Sequence, residues 1–252
     1  MLSYAVTDAL RQMTQNSLES LARSEDPNRI QFNAVVLESN KTLKPYQYSG
    51  ASTLYPDARF GYNRFLNIGV RYTSNPFVCL CNNDLIFHKD WATEILKAVG
   101  HDPRVLSFSP VDPWLHRQYG LTDEERVIYG YEKMKHVTGW CFVVKREIFK
   151  IIGPFDEKLE FWYVDDDYIR TLILHKVTHA LVTSSKVDHL SGKTISSDQL
   201  NSDRHRLTRK QWLYYDYKWN HHSALIYAAK KLWLALRTCI KFPRASAKVM
   251  GA

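Results

Sequence analysis

Long apolar runs are missing from this chain of 252 residues: the roughly 18 consecutive apolar residues that a bilayer span requires occur nowhere. The opening Met1-Leu2-Ser3-Tyr4 has neither the basic nor the apolar part of a secretory leader, so a cytoplasmic setting is expected. Cysteine is scarce. Cys79, Cys81, Cys141 and Cys239 include no CxxC pair, and three of them sit in apolar runs of strand character, which reads as buried thiols rather than disulfides or zinc ligands. There is no internal repeat and no low-complexity tract. Acidic residues are rare at the C-terminal end: of 34 Lys and Arg and 26 Asp and Glu, 11 and 2 fall from Asn201 onward, leaving 23 basic and 24 acidic residues before it. The body is therefore near neutral and the tail carries the excess charge, a pattern that concentrates polyanions at its surface.

What is present, 45% hydrophobic and 24% charged residues, is ordinary for a globular protein with one core. Val6, Leu10, Met13, Leu18 and Leu21 recur at near-helical spacing, predicting a helix from Ala5 to Arg23 that Pro27-Asn28 ends. The β-branched run from Phe32 to Leu37 reads as a buried strand that gives way to Glu38-Ser39-Asn40, and Phe77 to Cys81 as another that stops at Asn82-Asn83-Asp84. The intervening 41–57 reads as a loop and Gly61 to Thr73 as a helix. A helix is expected from Lys89 to Val99, a strand from Val105 to Phe108, and an insertion over the site at 112–135. A strand from His136 to Val144 and a short helix from Arg146 to Ile152 follow. Asp165-Asp166-Asp167 then opens a helix to His175, strands are expected at Val177 to Thr183 and Lys186 to Asp188, and an amphipathic helix at Ser223 to Ile240. Strands alternating with helices imply an α/β fold with a mostly parallel sheet, whose ligands bind beyond the strands' carboxyl ends.

Three spots carry metal-binding or proton-transfer chemistry: Asp84 at a strand end, Asp165 to Asp167 at a helix start, and His189 after a strand. A carboxylate at a sheet's carboxyl edge suits a hard divalent cation, and an imidazole adds a nitrogen ligand acceptable to manganese as well as magnesium. Taken singly, each has a structural explanation: a turn aspartate, a helix cap that satisfies first-turn amides, and a histidine held in the core.

Order and spacing add more. From Leu2 to about Lys193 the chain resembles the family 2 glycosyltransferases of GT-A fold, in particular their rhamnosyltransferase-like branch. Val35-Val36-Leu37-Glu38-Ser39-Asn40, Gly61-Tyr62-Asn63-Arg64-Phe65-Leu66-Asn67-Ile68-Gly69 and Val78-Cys79-Leu80-Cys81-Asn82-Asn83-Asp84 are similar to that family's second strand, glycine-aromatic helix and DxD-type motif. Thr138-Gly139-Trp140-Cys141-Phe142, Ile152-Gly153-Pro154-Phe155-Asp156-Glu157, Tyr163-Val164-Asp165-Asp166-Asp167 and His189-Leu190-Ser191-Gly192 are similar to its acceptor-side strand, its G-x-FDE turn, its ED motif and its His-x-x-Gly element. The pattern departs in two places. Only Leu2-Ser3 stands for the first strand, and Asn82 replaces the first acid of a strict DxD, leaving Asp84 as the charged ligand there.

The resemblance implies a GT-A catalytic domain over 1–200, split into a nucleotide-sugar half (1–110) and an acceptor half (111–200), followed by a basic, aromatic helical tail (201–252). It implies an inverting transferase using a UDP- or dTDP-linked donor and Mn2+ or Mg2+. Asp165 would be the catalytic base; Asp84 and His189 would hold the metal. Tyr4, Glu38, Asn67, Asn82 and Asn83 would line the donor, and Trp140, Trp162, Asp166 and Asp167 the acceptor side. The tail, with Gln211-Trp212-Leu213-Tyr214-Tyr215-Asp216-Tyr217-Lys218-Trp219 and the helix beyond, fits two surfaces. One is an anionic membrane carrying a glycan or lipid-linked acceptor at the inner face. The other is DNA, whose phosphates and exposed bases it would grip, as a phage-type enzyme acting on a hydroxymethylated base in host cytoplasm would require. A catalytically inactive GT-A-like binding module is the non-enzymatic alternative.

Overall fold

The computed structural model describes residues 1–122, 124–190, 198–220 and 223–241; Ser191, Gly192 and the Cys239 side chain lie outside what it describes. Two sheets form the centre. Strands β1 (Leu2–Ser3), β2 (Val35–Glu38) and β3 (Ser52–Leu54) are parallel, in the order β1-β2-β3. The larger sheet contains β4 (Phe77–Cys81), β5 (Leu85–Phe87), β6 (Ser107–Val111), β7 (Val127–Tyr129), β8 (Cys141–Lys145) and β9 (His179–His189), in the order β4-β8-β6-β9-β5, with β7 also paired to β9. Around them lie α1 (Asp8–Arg23), α2 (Tyr62–Tyr72), α3 (Trp91–His101), α4 (Pro113–Arg117), α5 (Ile148–Ile152) and α6 (Val164–Leu174). Two longer helices, α7 (Asp198–Trp219) and α8 (Ala224–Lys241), follow.

Side-chain alternation along β8 explains the layering. Phe142 and Val144 enter one buried cluster with Phe65 and Leu66 of α2, Ile148 of α5 and Leu172 of α6. Cys141 and Val143 point to the other face and join Trp91, Ile95 and Ala98 of α3 with Phe108, Ala180 and Val182. Each fully buried Leu, Ile or Phe in these layers contributes about 1.5–3 kcal/mol relative to exposure. Helix α1 starts where Thr7 accepts the Leu10 amide and buries Met13 and Leu18 with the small polar Thr14, Ser17 and Ser20.

The α/β class with flanking helices matches the sequence reading, but the sheet is mixed rather than mostly parallel. Strand β6 runs parallel to β9, whereas β4–β8, β6–β8, β5–β9 and β7–β9 are antiparallel. The cause is the excursion 112–140: the chain leaves β6 and re-enters β8 at the same sheet edge, so β8 must run back against its neighbours. That excursion contains α4 and β7 and is not irregular. Strands β3 and β5 lie in segments too short to show a period, and the two strands expected at 177–188 are one continuous β9.

Candidate active site

One edge of the larger sheet collects the chemically able residues. Strand β4 ends into Asn82-Asn83-Asp84, β6 ends into Asp112, Gly139-Trp140 lead into the antiparallel β8, and β9 ends at His189. The β5–β9 ladder fixes the first contact: Leu85 pairs with His189, and the Leu190 amide donates to the Asp84 carbonyl over 2.9 Å. Asp84 Oδ1 consequently lies 3.4 Å from His189 Nε2. Asp84 is 4% exposed and this oxygen has no hydrogen-bond partner, a costly state for a buried carboxylate. The buried Asp112 supports the pair: its Oδ2 accepts the His189 amide at 3.0 Å, while Oδ1 accepts the Trp114 and Leu115 amides at the start of α4. The Asp-Pro step after a strand is the sequence signal that points to this cap.

Asp165, in the first turn of α6, reaches the same edge from the opposite side. Its carboxylate lies on Gly139 so closely that a Cβ there would stand 2.0 Å from Oδ1. The next residue, Trp140, stacks on His189 with ring centroids 5.4 Å apart and planes 12° off parallel. Tyr62 closes the circle. Its hydroxyl contacts the Gly139 carbonyl at 2.9 Å and Asn82 Oδ1 at 3.1 Å. The Tyr62 pKa is driven well above the ordinary phenol value by burial first, with the Asp165 and Asp84 carboxylates both adding. Two acids distant in sequence thus act on one hydroxyl. Burial also raises the Asp165 pKa, opposed by the Lys133 ammonium 3.8 Å away and assisted by Asp166. Lys133 itself is bound to Asp166 at 2.7 Å.

The other candidates divide. Asn82 lies at the centre and Trp162, half-buried, beside the turn that precedes Asp165. Tyr4 is 39% exposed at the end of β1. Glu38 is fully buried and all its acceptor positions are filled: Oε1 by the Ala5 and Asn40 amides, Oε2 by the Ser3 and Tyr48 hydroxyls. It joins β1 to β2 through these bonds. Asn67 likewise serves the fold: its amide donates to the Phe155 carbonyl and Glu157, and its oxygen accepts the Phe155 amide, holding the 153–157 turn. Asn83 donates to Thr14 and anchors α1. Trp140 is buried, with one face against His189. Asp167 turns away toward α7, where Lys218 and the Trp219 indole bind it, both at 2.7 Å. An apolar cavity of about 310 Å³ lies elsewhere, between β2, β4 and α3, and touches neither Asp84, Asp165 nor His189.

The donor set at Asp84 and His189, one carboxylate with an unpartnered buried oxygen beside one imidazole, fits a divalent cation that takes its remaining ligands from water and phosphate. Among the described residues no group of three or more His, Cys, Asp or Glu side chains forms a fuller cage.

This mixed sheet between helix layers, with acids and an imidazole at one strand edge, is a GT-A-type α/β fold. Residues 36–153 match the model of "Glycosyl transferase family 2". Solved structures agree in fold. The mannosyltransferase PcManGT from Pyrobaculum calidifontis, in complex with GDP-Man and Mn2+, aligns at TM-score 0.61 and 15% identity over 95% of this chain and 74% of its own. GalNAc-T7 with UDP, GalNAc and Mn2+ aligns at TM-score 0.58 and 12% identity over 94% of this chain. The chain spans only 54% of that protein's length. TarS 1-349 from S. aureus aligns at TM-score 0.52 and 11% identity over 85% of this chain and 71% of its own. No curated protein matches by sequence.

Proposed function

We propose that the chain is an inverting glycosyltransferase that moves a sugar from a nucleotide-sugar donor, UDP- or dTDP-linked, to an acceptor hydroxyl. The observation that carries this reading is the convergence of the Asp84–His189 pair and Asp165 on one sheet edge through Gly139, Trp140 and Tyr62. In the reaction the acceptor oxygen forms a bond to the anomeric carbon as the bond from that carbon to the diphosphate oxygen breaks. The acceptor proton passes to Asp165, whose raised pKa makes it a stronger base than an ordinary aspartate. The diphosphate leaves with the bonding electrons. Asp84 and His189 would hold Mn2+ or Mg2+, which supplies Lewis-acid neutralisation of the leaving diphosphate. Lys133 keeps Asp166 occupied and leaves Asp165 the less compensated of the two carboxylates.

For the acceptor, the outward face of α8 favours a lipid-linked or membrane-associated glycan over DNA. Leu225, Ile226, Leu232, Trp233 and Leu236 are exposed, and Lys230 and Lys231 flank them. The aromatic and basic residues of 211–219 that would have gripped DNA are largely engaged with the body of the protein. Nucleoside diphosphate release from a panel of nucleotide sugars with Mn2+, without any acceptor, tests the enzymatic reading directly. Release that Asp84→Asn abolishes is expected; a protein that cleaves no donor and gains no thermal stability from any is the inactive binding module instead.

A further inference from the structure

The turn that delivers Asp165 is under backbone strain. Tyr163, immediately before α6, adopts a left-handed conformation with φ 64°, unfavourable for a residue with a bulky side chain. The Tyr163 side chain makes no capping hydrogen bond to α6, and the Phe161 and Trp162 amides lie just before it. Both amides find one acceptor. Gln211 Oε1 on α7, 3% exposed, accepts Phe161 N at 2.9 Å and Trp162 N at 2.7 Å. Beside it Tyr215 stacks on the Tyr163 ring, centroids 5.2 Å apart at 24°, and the Arg170 guanidinium of α6 lies over Tyr215. On the far side of Asp165, Lys218 bridges Asp167 at 2.7 Å and Asp156 at 3.0 Å, and the Trp219 indole donates to Asp167.

We infer that α7 is part of the catalytic apparatus, and that Gln211 is a positioning residue that fixes the 161–163 turn and thereby the carboxylate of Asp165. The inference rests on the assignment of Asp165 as base, and it redraws the boundary placed after residue 200: the first tail helix braces the acceptor side, while Asp84 and His189 stand at the carboxyl ends of β4 and β9. A carboxylate displaced by a fraction of an ångström to an ångström loses roughly 10- to 100-fold in rate. Donor binding, held at the other end of the site, stays.

The test compares the full chain with Gln211→Leu, which removes the shared acceptor, and Gln211→Glu, which restores an oxygen acceptor. Transfer kcat, donor KM and acceptor-free donor cleavage are measured together with hydrogen exchange at the Phe161 and Trp162 amides. In Gln211→Leu, kcat for transfer should fall roughly 10- to 100-fold, donor KM and acceptor-free cleavage should change less than about twofold, and the two amides should lose protection. Gln211→Glu should recover both protection and rate. Should Gln211→Leu fold poorly, Tyr215→Ala set against Tyr215→Phe asks the same question, since only the alanine removes the stack on Tyr163. Equal losses of transfer and acceptor-free cleavage, or an unchanged kcat, would overturn the proposal. So would amides that exchange freely in the parent protein. Parent protein that cleaves no donor while both amides are protected by Gln211 refutes the transferase reading and leaves the brace standing as structure alone.

Discussion

Asp165 is held where its charge is disfavoured, and that has consequences for both rate and stability. Its folded pKa is raised by burial, so ionisation costs the folded state more than the unfolded one, and the stability it contributes is present below the unfolded pKa and lost as pH rises through the folded value. Asp165→Asn is therefore expected to leave the melting temperature at pH 7 unchanged or higher while reducing transfer by about 10²- to 10⁴-fold, checked by calorimetry alongside initial rates. The acid limb of the transfer profile should lie above the ordinary carboxylate value of about 3.9. Gly139 admits the carboxylate because it has no side chain. Gly139→Ala places a methyl against Asp165 Oδ1 and Cγ, so transfer should fall by at least about tenfold with native circular dichroism; wild-type rates would mean that the carboxylate can move without consequence.

Among the elements, β9 carries the most. Its beginning buries His179, whose Nδ1 lies 2.8 Å from the Ser107 hydroxyl and whose Nε2 lies 2.9 Å from the His136 carbonyl. The imidazole is neutral in this arrangement, and burial lowers its pKa to about 4. His116 and His136 are shifted down as well, also by burial first. Below the unfolded histidine value of about 6.5 the denatured chain takes up protons that these rings refuse, so stability falls with pH from about 6.5 toward about 4. For His179 alone the loss is on the order of 3 kcal/mol. Urea titrations across that range should show the decline, and His179→Gln should flatten it; a profile with no slope there would contradict the neutral assignment. At its other end β9 places His189 opposite Leu85, so one strand links an acid-labile core to the site.

At the scale of the whole molecule, α8 packs on α7 through Tyr227 and Lys230. Tyr227 stacks on Tyr217 and meets Tyr214 edge-on, Lys230 pairs with Asp216 over 3.8 Å, and the apolar side chains of Leu225, Ile226, Leu232 and Leu236 are exposed. Among the described residues no helix is long and apolar enough to cross a membrane, and the membrane contact proposed for α8 would be one of lying on the surface. Flotation with vesicles of phosphatidylglycerol and phosphatidylcholine should carry the protein upward, less so in high salt, and Leu232→Ser with Leu236→Ser should reduce binding at least about tenfold. Binding to neutral vesicles alone, or retardation of duplex DNA without flotation, would count against the membrane-associated acceptor.

The α/β class, the buried strands at Phe77 to Cys81 and Val35 to Leu37, and the placement of Asp84, Asp165 and His189 at element ends are local properties. Each depends on apolar periodicity and on where it breaks, and the chain order alone shows both. Glu38 and Asn67 look the same in sequence whatever they face; only the folded chain brings Tyr48 to one and Phe155 to the other and engages both side chains in hydrogen bonds within the protein. The direction of β8, the contact of Asp165 with Gly139 and the reach of Gln211 to the 161–163 turn were decided the same way. They join residues 26 to 50 positions apart or more, and the free energy of such contacts resides in mutual burial and shared hydrogen bonds that have no trace in the spacing of either partner.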